Sequence, residues 1–319
     1  MKKIAFLFVA TIILMTLSLF CGGYNISFYD MINNNMSDTD IAVFLNFRLY
    51  RVIGSAVVGA ILACAGLSLQ SLFANPLVEP YTLGISGGAN LGVTIASVIF
   101  GGISSFIFGI LGAFCVSFLL LLSAFLPNQS SNRILLTGIT ISYICAGVSM
   151  LILSFASSND MQNVIRWGLG GVDNIDIGNT VFLFIIFIIS FIILITKSMI
   201  MNVLQFGEYD AKILGISVKK ERIYLLLIAS VMTASAVSLC GSIGFVGLLS
   251  PHIARKIFNE DNRILLVSSA IIGALLLTTA DLIGRTAFVP RELPAGVITG
   301  ILGGILFIYL LNRKEPERC

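Results

Sequence analysis

Residues 66–93 read GLSLQSLFANPLVEPYTLGISGGANLGV, and their reading decides what kind of fold the chain can form. Apolar, helix-compatible sequence runs into this stretch and out of it. Between the two runs stand Asn75, Pro76, Glu79 and Pro80, followed by Gly84, Gly87, Gly88 and Gly92. Prolines remove a backbone donor and stop helices, and clustered glycines let backbones approach closely. A break of this kind in an otherwise greasy chain implies a junction between two packed helices.

The surrounding composition supplies the solvent. Of 319 residues, 57% are hydrophobic and 11% are charged, against about 25% charged in soluble domains. With a mean hydropathy of +1.00, a water-soluble core of this length could not hide the apolar surface. Runs of about 20 apolar residues span a bilayer as helices, which satisfy their own backbone groups. The fold class expected is an all-α polytopic membrane protein.

Apolar runs bounded by charge, Pro or Gly predict about ten transmembrane helices, near 4–21, 48–70, 83–100, 103–126, 134–156, 180–200, 223–240, 244–258, 264–284 and 296–311. The eighth is short for a full span. The opening MKKIAFLFVATIILMTLSLFCGG lacks small residues before Cys21 and lacks an A-x-A-like cleavage site, so it reads as a retained first helix. Residues 1–319 are expected to form one transmembrane domain, with outer loops at 22–47 and 157–179 and a charged inner segment at 201–222.

Ten helices put both termini on one side, and the basic residues vote for N-in, C-in. Fourteen of the 19 Lys and Arg residues fall inside, including every lysine, whereas the 16 acidic residues divide evenly, which is the positive-inside pattern. Arg48, Arg51, Arg166, Arg285 and Arg291 are the exceptions. Snorkelling to lipid phosphates explains arginines at outer helix ends, and so does docking of an acidic partner. Asp281, four residues from Arg285, reads as an intrahelical pair.

Several chemistries find no material. One histidine, His252, cannot build a multi-histidine metal site. The six cysteines show no pairing pattern and read as packing residues. Walker A and HExxH sequences are absent, no basic block suggests nucleic acid, and no span carries a proton-relay stripe. A secondary transporter and a membrane-embedded enzyme are the competing classes, and both lack the buried charges they would need.

Seven stretches in order resemble the FecCD-type permeases of ABC importers for iron–siderophores, haem and cobalamin: FRLYRVIGSAVVGAILACAG, LQSLFANPLVEPYTLGISGGANLG, RILLTGITIS, WGLGG, GEYDAKILGISV, GSIGFVGLLSPHIAR and RELPAGVITGILGGILFIYLL. Tyr50, Ala65, Ser242 and Gly304 depart from the common pattern without touching the architecture. The resemblance implies a type II importer permease in a bacterial cell membrane, paired with a second permease chain, identical or paralogous. Two ATPase subunits would bind its inner face, and an external binding protein would deliver the ligand. ATP and Mg would sit on the partners, so this chain would carry no cofactor and no catalytic residue. By motif position, Arg48, Arg51 and Arg285 would dock the binding protein. Gly207, Glu208, Ala211, Leu214 and Gly215 would couple to the ATPase. Asn75, Pro76 and Leu77 would form the cytoplasmic gate, with a plain interhelical turn as the simpler alternative. Glu79 could cap a helix, meet the ATPase or be solvated. The cargo implied is an iron complex, a ferric siderophore before haem or cobalamin, in a cavity lined by apolar and hydroxyl side chains from the fifth and tenth helices.

Overall fold

The computed structural model describes residues 2–312 apart from 23–27, 30–32, 34–35, 103–104, 127–129, 174 and 259. Among them there are helices and no strands: α1 (Lys2–Phe20), α2 (Asp38–Phe73, with a π turn at Phe44–Arg48), α3 (Ile85–Ile99), α4 (Ser105–Phe125), α5 (Ser131–Leu153), α6 (Ser158–Gly168), α7 (Ile177–Leu204), α8 (Glu208–Ile213), α9 (Val218–Cys240), α10 (Val246–Ile257), α11 (Asn262–Thr286) and α12 (Ala295–Asn312). Each of the ten expected spans meets one of these helices. Seven helices are long and apolar enough to cross a membrane alone, whereas Ile85–Ile99 and Ala295–Tyr309 are apolar but shorter and α10 has 12 residues.

α2 is the central post. Its most apolar window is 94% buried, against 11% for α1 and 22% for α5 and α7. A helix buried all round needs close neighbours on every side, and α2 gets them by being rich in Gly, Ala and Ser. A Cβ placed on Gly59 would stand 2.2 Å from the Gly273 carbonyl of α11. One placed on Gly66 would stand 1.9 Å from the Gly247 carbonyl of α10. These crossings bring helix axes together as small-residue contacts do in membranes. α9 and α11 pack against α2, and α4, α5 and α7 turn large apolar side chains outward.

The segment 157–179, expected as a polar connection, holds a helix. Ser157 accepts from the Asp160 amide (3.2 Å) and starts α6. Its missed signal was the S-x-x-D spacing at Ser157–Asp160. The expected outer loop 22–47 is helical from Asp38 onward, again behind a capping box at Ser37–Asp40; most of 23–35 lies outside the described residues.

The break that opened the sequence re-enters the protein. α2 ends at Ala74 in the left-handed region (φ 48°), and Asn75 Oδ1 accepts from the Leu77 amide (2.9 Å) to close the turn. Pro76 and Leu77 are exposed, but Val78, Pro80 and Leu83 are buried. The chain dips back as a 3₁₀ turn at Pro80–Leu83 before α3 begins. α3, with 15 residues, reaches only about 22 Å, less than the about 30 Å of a hydrocarbon core. Asn75–Pro80 thus follows directly on the end of α2, with its first half exposed and its second half turned into the protein. α10, with 12 residues, is likewise too short to span, and its first turn packs against Pro80 of the dipping segment.

Candidate functional site

At one end of the bundle, Arg51 Nε donates to Asp281 Oδ1 (2.9 Å) and Arg51 Nη1 to Glu292 Oε2 (2.7 Å). Asp281 Oδ2 also meets Arg285 Nε at 3.0 Å, the intrahelical pair expected. Asp281 therefore sits between two guanidinium groups, one of them from another helix. Arg285 is 3% exposed and Arg48 6% exposed. Both point at α1: Arg48 Nη1 donates to the carbonyls of Leu19 (3.0 Å) and Phe20 (2.9 Å), and Arg285 Nη2 to the Ser18 carbonyl (3.2 Å) and hydroxyl. The last carbonyls of a helix have no intrahelical donor, and cations there also meet the negative end of the macrodipole. Two of the three arginines picked out for docking thus serve as the C-terminal cap of α1. Arg51 stays at the rim, its side chain 14% exposed beside a Glu292 that is 47% exposed. Next to this pair opens a cavity of about 480 Å³, lined by Arg51, Asn163, Arg166, Trp167, Asp173 and Glu292 among others.

At the opposite end, α8 is bracketed by two glycines with positive φ, Gly207 (119°) and Gly215 (76°), where a side chain would be strained. Glu208 fixes the helix to the bundle. Its Oε1 accepts from the Ser131 amide (3.1 Å) and hydroxyl (2.8 Å) at the start of α5 and pairs with Arg222 of α9. Ala211 is fully buried beneath, while Tyr209, Ile213 and Leu214 are exposed, as is Phe206 just before. α8 and the residues flanking it are thus anchored on one face and show four large apolar side chains, Phe206, Tyr209, Ile213 and Leu214, on the other. The five residues expected to couple divide into two glycines with positive φ, Gly207 and Gly215, two residues turned to the bundle, Glu208 and Ala211, and the exposed Leu214. Nearby, Asn202 Nδ2 donates to Asp261 Oδ1 (3.1 Å), and the Arg263 amide donates to the same atom (3.0 Å). These bonds hold the Asp261 carboxyl below its usual range.

Between the ends, no group of three or more His, Cys, Asp or Glu side chains among the described residues could hold a metal. The exposed face of α5 carries Leu136, Thr140, Tyr143 and Gly147 at helical spacing, with no charged residue between Ile134 and Leu153.

The family model described as the FecCD transport family matches residues 10–313. The chain belongs to this family. Its relatives include the hemin transport system permease protein HmuU of Yersinia pestis, 31% identical over 99% of this chain and 96% of the relative. The vitamin B12 import system permease protein BtuC of Salmonella arizonae is 36% identical over 84% of this chain and 82% of its own. The probable siderophore transport system permease protein YfhA of Bacillus subtilis is 35% identical over 88% and 84%. Among solved structures, a metal-chelate type ABC transporter in an inward-facing conformation superposes with a TM-score of 0.88 at 28% identity, covering 97% of this chain and 98% of its own. This FecCD chain is therefore a permease subunit of an ABC importer, a multi-pass membrane protein that does no chemistry itself; the ATPase is a separate subunit.

Proposed function

We propose that this permease moves an iron complex, a ferric siderophore, inward across the membrane between two copies or paralogues of the chain. Both termini and α8 would lie on the cytoplasmic side. The observation that carries the reading is the neutral, partly hydroxylated face of α5, with Thr140, Tyr143 and Gly147 exposed. A chelated metal presents a bulky, charge-masked surface, and such a face lets it pass without a strong binding site. The three relatives named above handle hemin, vitamin B12 and siderophore, all metal chelates of this kind. Haem and cobalamin suit the same face, so cargo selection rests with the external binding protein.

On this reading the binding protein docks on the end carrying Arg51, which meets an acidic lobe directly while Arg48 and Arg285 hold the rim from beneath. Two ATPase subunits, bearing ATP and Mg, seat on Tyr209, Ile213 and Leu214. Asn75, Pro76 and Leu77 form the narrow inner gate. Closure of the ATPases shifts the equilibrium between outward-open and inward-open arrangements. The test is uptake into vesicles holding the complete transporter and its cognate binding protein, with radio-iron siderophore, haem and cobalamin offered separately. ATP-dependent accumulation of the siderophore alone supports the proposal, and accumulation of haem or cobalamin instead replaces it.

A further inference from the structure

The break at 74–84 and the break at 241–245 are far apart in sequence and meet in space. Glu79 Oε2 accepts from the Phe245 amide (3.2 Å), and the Tyr81 hydroxyl accepts from the Ile243 amide. Pro80 lies against Gly247, whose Cβ, if present, would fall 2.8 Å from Pro80 Cδ. Phe245 is the N-cap residue of α10 and holds a left-handed backbone (φ 67°), a conformation that costs a non-glycine residue about 1–2 kcal/mol. α10 starts half-buried, with Gly244 and Phe245 partly exposed, and its positive dipole end lies where the Phe245 amide needs an acceptor. Glu79 puts a carboxylate there.

The same short junction is tied outward as well. The Gly171 amide donates to the Cys240 carbonyl (2.8 Å), and the Gly296 amide to the Gly170 carbonyl (2.9 Å). A Cβ on Gly241 would stand 2.0 Å from the Trp167 carbonyl. Thus the end of α6 and the dipping turn grip the residues just before α10, and the start of α12 lies against them, a Cβ on Gly296 falling 2.6 Å from the Ser242 carbonyl. At its far end α10 is held by Arg255 Nη1 donating to Gln70 Oε1 (2.6 Å) and by Lys3 Nζ donating to the Ile257 carbonyl (3.2 Å).

We infer that Glu79 is a positioning residue for transport: its carboxylate locks the N-terminus of α10 to the dipping turn, so that turn and half-helix move as one body when the pathway opens. The carboxylate fills the N-terminal end of α10, which would otherwise attract an anionic cargo, so this helix end is a joint and no binding site for cargo. The inference rests on the transport reading above for its consequence, though the lock itself can be read without cargo.

The experiment uses the complete transporter in vesicles, with Glu79→Ala and Glu79→Gln, each also in a Gly244→Cys background. Gly244 has open space where a side chain would stand. Glutamine keeps an oxygen for the Phe245 amide, and alanine leaves that amide unsatisfied. Expected are native amounts of complex, cargo moved per ATP reduced about tenfold by Glu79→Ala, and a ratio within about twofold of native for Glu79→Gln. The cysteine introduced by Gly244→Cys is labelled with a membrane-impermeant maleimide and followed at its peptide by mass spectrometry. Its labelling should be at least about fivefold faster in the Glu79→Ala protein than in the Glu79→Gln protein. A Glu79→Ala protein with native coupling ratio and native labelling overturns the inference. Should that variant not accumulate, Glu79→Asp, one methylene short, decides on the same two readouts. If the native complex moves no metal chelate at all, the transport reading fails, yet the labelling comparison still judges the lock.

Discussion

Replacing Asp281 with Asn removes the charge shared by the buried Arg285 guanidinium and the half-buried Arg51 one. The carboxylate is 1% exposed, 2.9 Å from Arg51 Nε and 3.0 Å from Arg285 Nε. Arg51 would keep Glu292 at 2.7 Å, but Arg285, 3% exposed, would keep only the neutral acceptors Ser18 and Cys21. Breaking one side of a buried pair costs about 3–5 kcal/mol because the other charge stays desolvated. One of the two arginines retains a carboxylate, so we expect the lower end, about 3 kcal/mol, or roughly two decades in the folded-to-unfolded ratio. Glu292→Gln is the internal control: its carboxylate is 47% exposed, and solvent limits such a pair to about 0–1 kcal/mol. The assay is denaturant unfolding of the purified permease in detergent, followed by tryptophan fluorescence or protease sensitivity. Adding Arg285→Met to Asp281→Asn removes the stranded charge and should recover part of the loss, a coupling of about 1–3 kcal/mol. An Asp281→Asn protein no less stable than Glu292→Gln would refute the shared-charge account, as would strict additivity in the double variant.

Three further outcomes are expected. Gly66→Ala puts a methyl 1.9 Å from the Gly247 carbonyl and should destabilise by about 1–3 kcal/mol, while Gly147→Ala, with nothing near its new methyl, should leave the melting temperature unchanged or slightly raised; equal melting of the two proteins counts against the α2–α10 crossing. The Asp261 carboxyl is held below its usual range by Asn202 and the Arg263 amide, so the stability it adds is present above its unfolded value near about 3.9 and lost as pH falls through the lower folded value. Native and Asp261→Asn proteins should therefore differ at pH 6 and converge in strong acid, and a pH-independent gap between their melting curves would contradict this. Leu214→Asp places a charge on the exposed apolar face of α8 and should lower ATPase stimulation by loaded binding protein about tenfold or more with the bundle intact; full stimulation would remove Leu214 from the contact.

The helices were legible because lipid imposes one rule on every span, and apolar runs record it directly. α10 was the least secure span in the sequence, and the structure gives the reason: it starts inside the bundle, so its apolar run is half a span long. α6 was missed because its polar, capped sequence resembles a loop until Ser157 and Asp160 are seen as a cap. At the arginine end, the sequence offered Arg285 and Asp281 as neighbours on one helix but could not show Arg51, 230 residues away, completing the cluster. Nor could it tell an arginine facing outward from one facing a helix terminus, because Arg48 and Arg51 sit three residues apart and take opposite tasks. Glu79 had three open readings, and the Phe245 amide selects helix capping.

The cap on α1 also has a temporal side. Its terminal carbonyls at Ser18 and Cys21 receive donors from Arg285, 267 and 264 residues later in the chain. At about 5–20 residues per second, a ribosome supplies Arg285 roughly 13–53 s after α1 has been made. Arg48 follows the Leu19 and Phe20 carbonyls it caps by only 29 and 28 residues, but throughout the longer interval the Ser18 and Cys21 carbonyls of a helix with only 11% of its apolar window buried even in the finished bundle must wait without Arg285. The end of α1 is thus fastened in two stages, by Arg48 early and by Arg285 late. An insertion factor or a leaflet of headgroups that shelters those carbonyls would govern how much of the newly made chain reaches its assembled form.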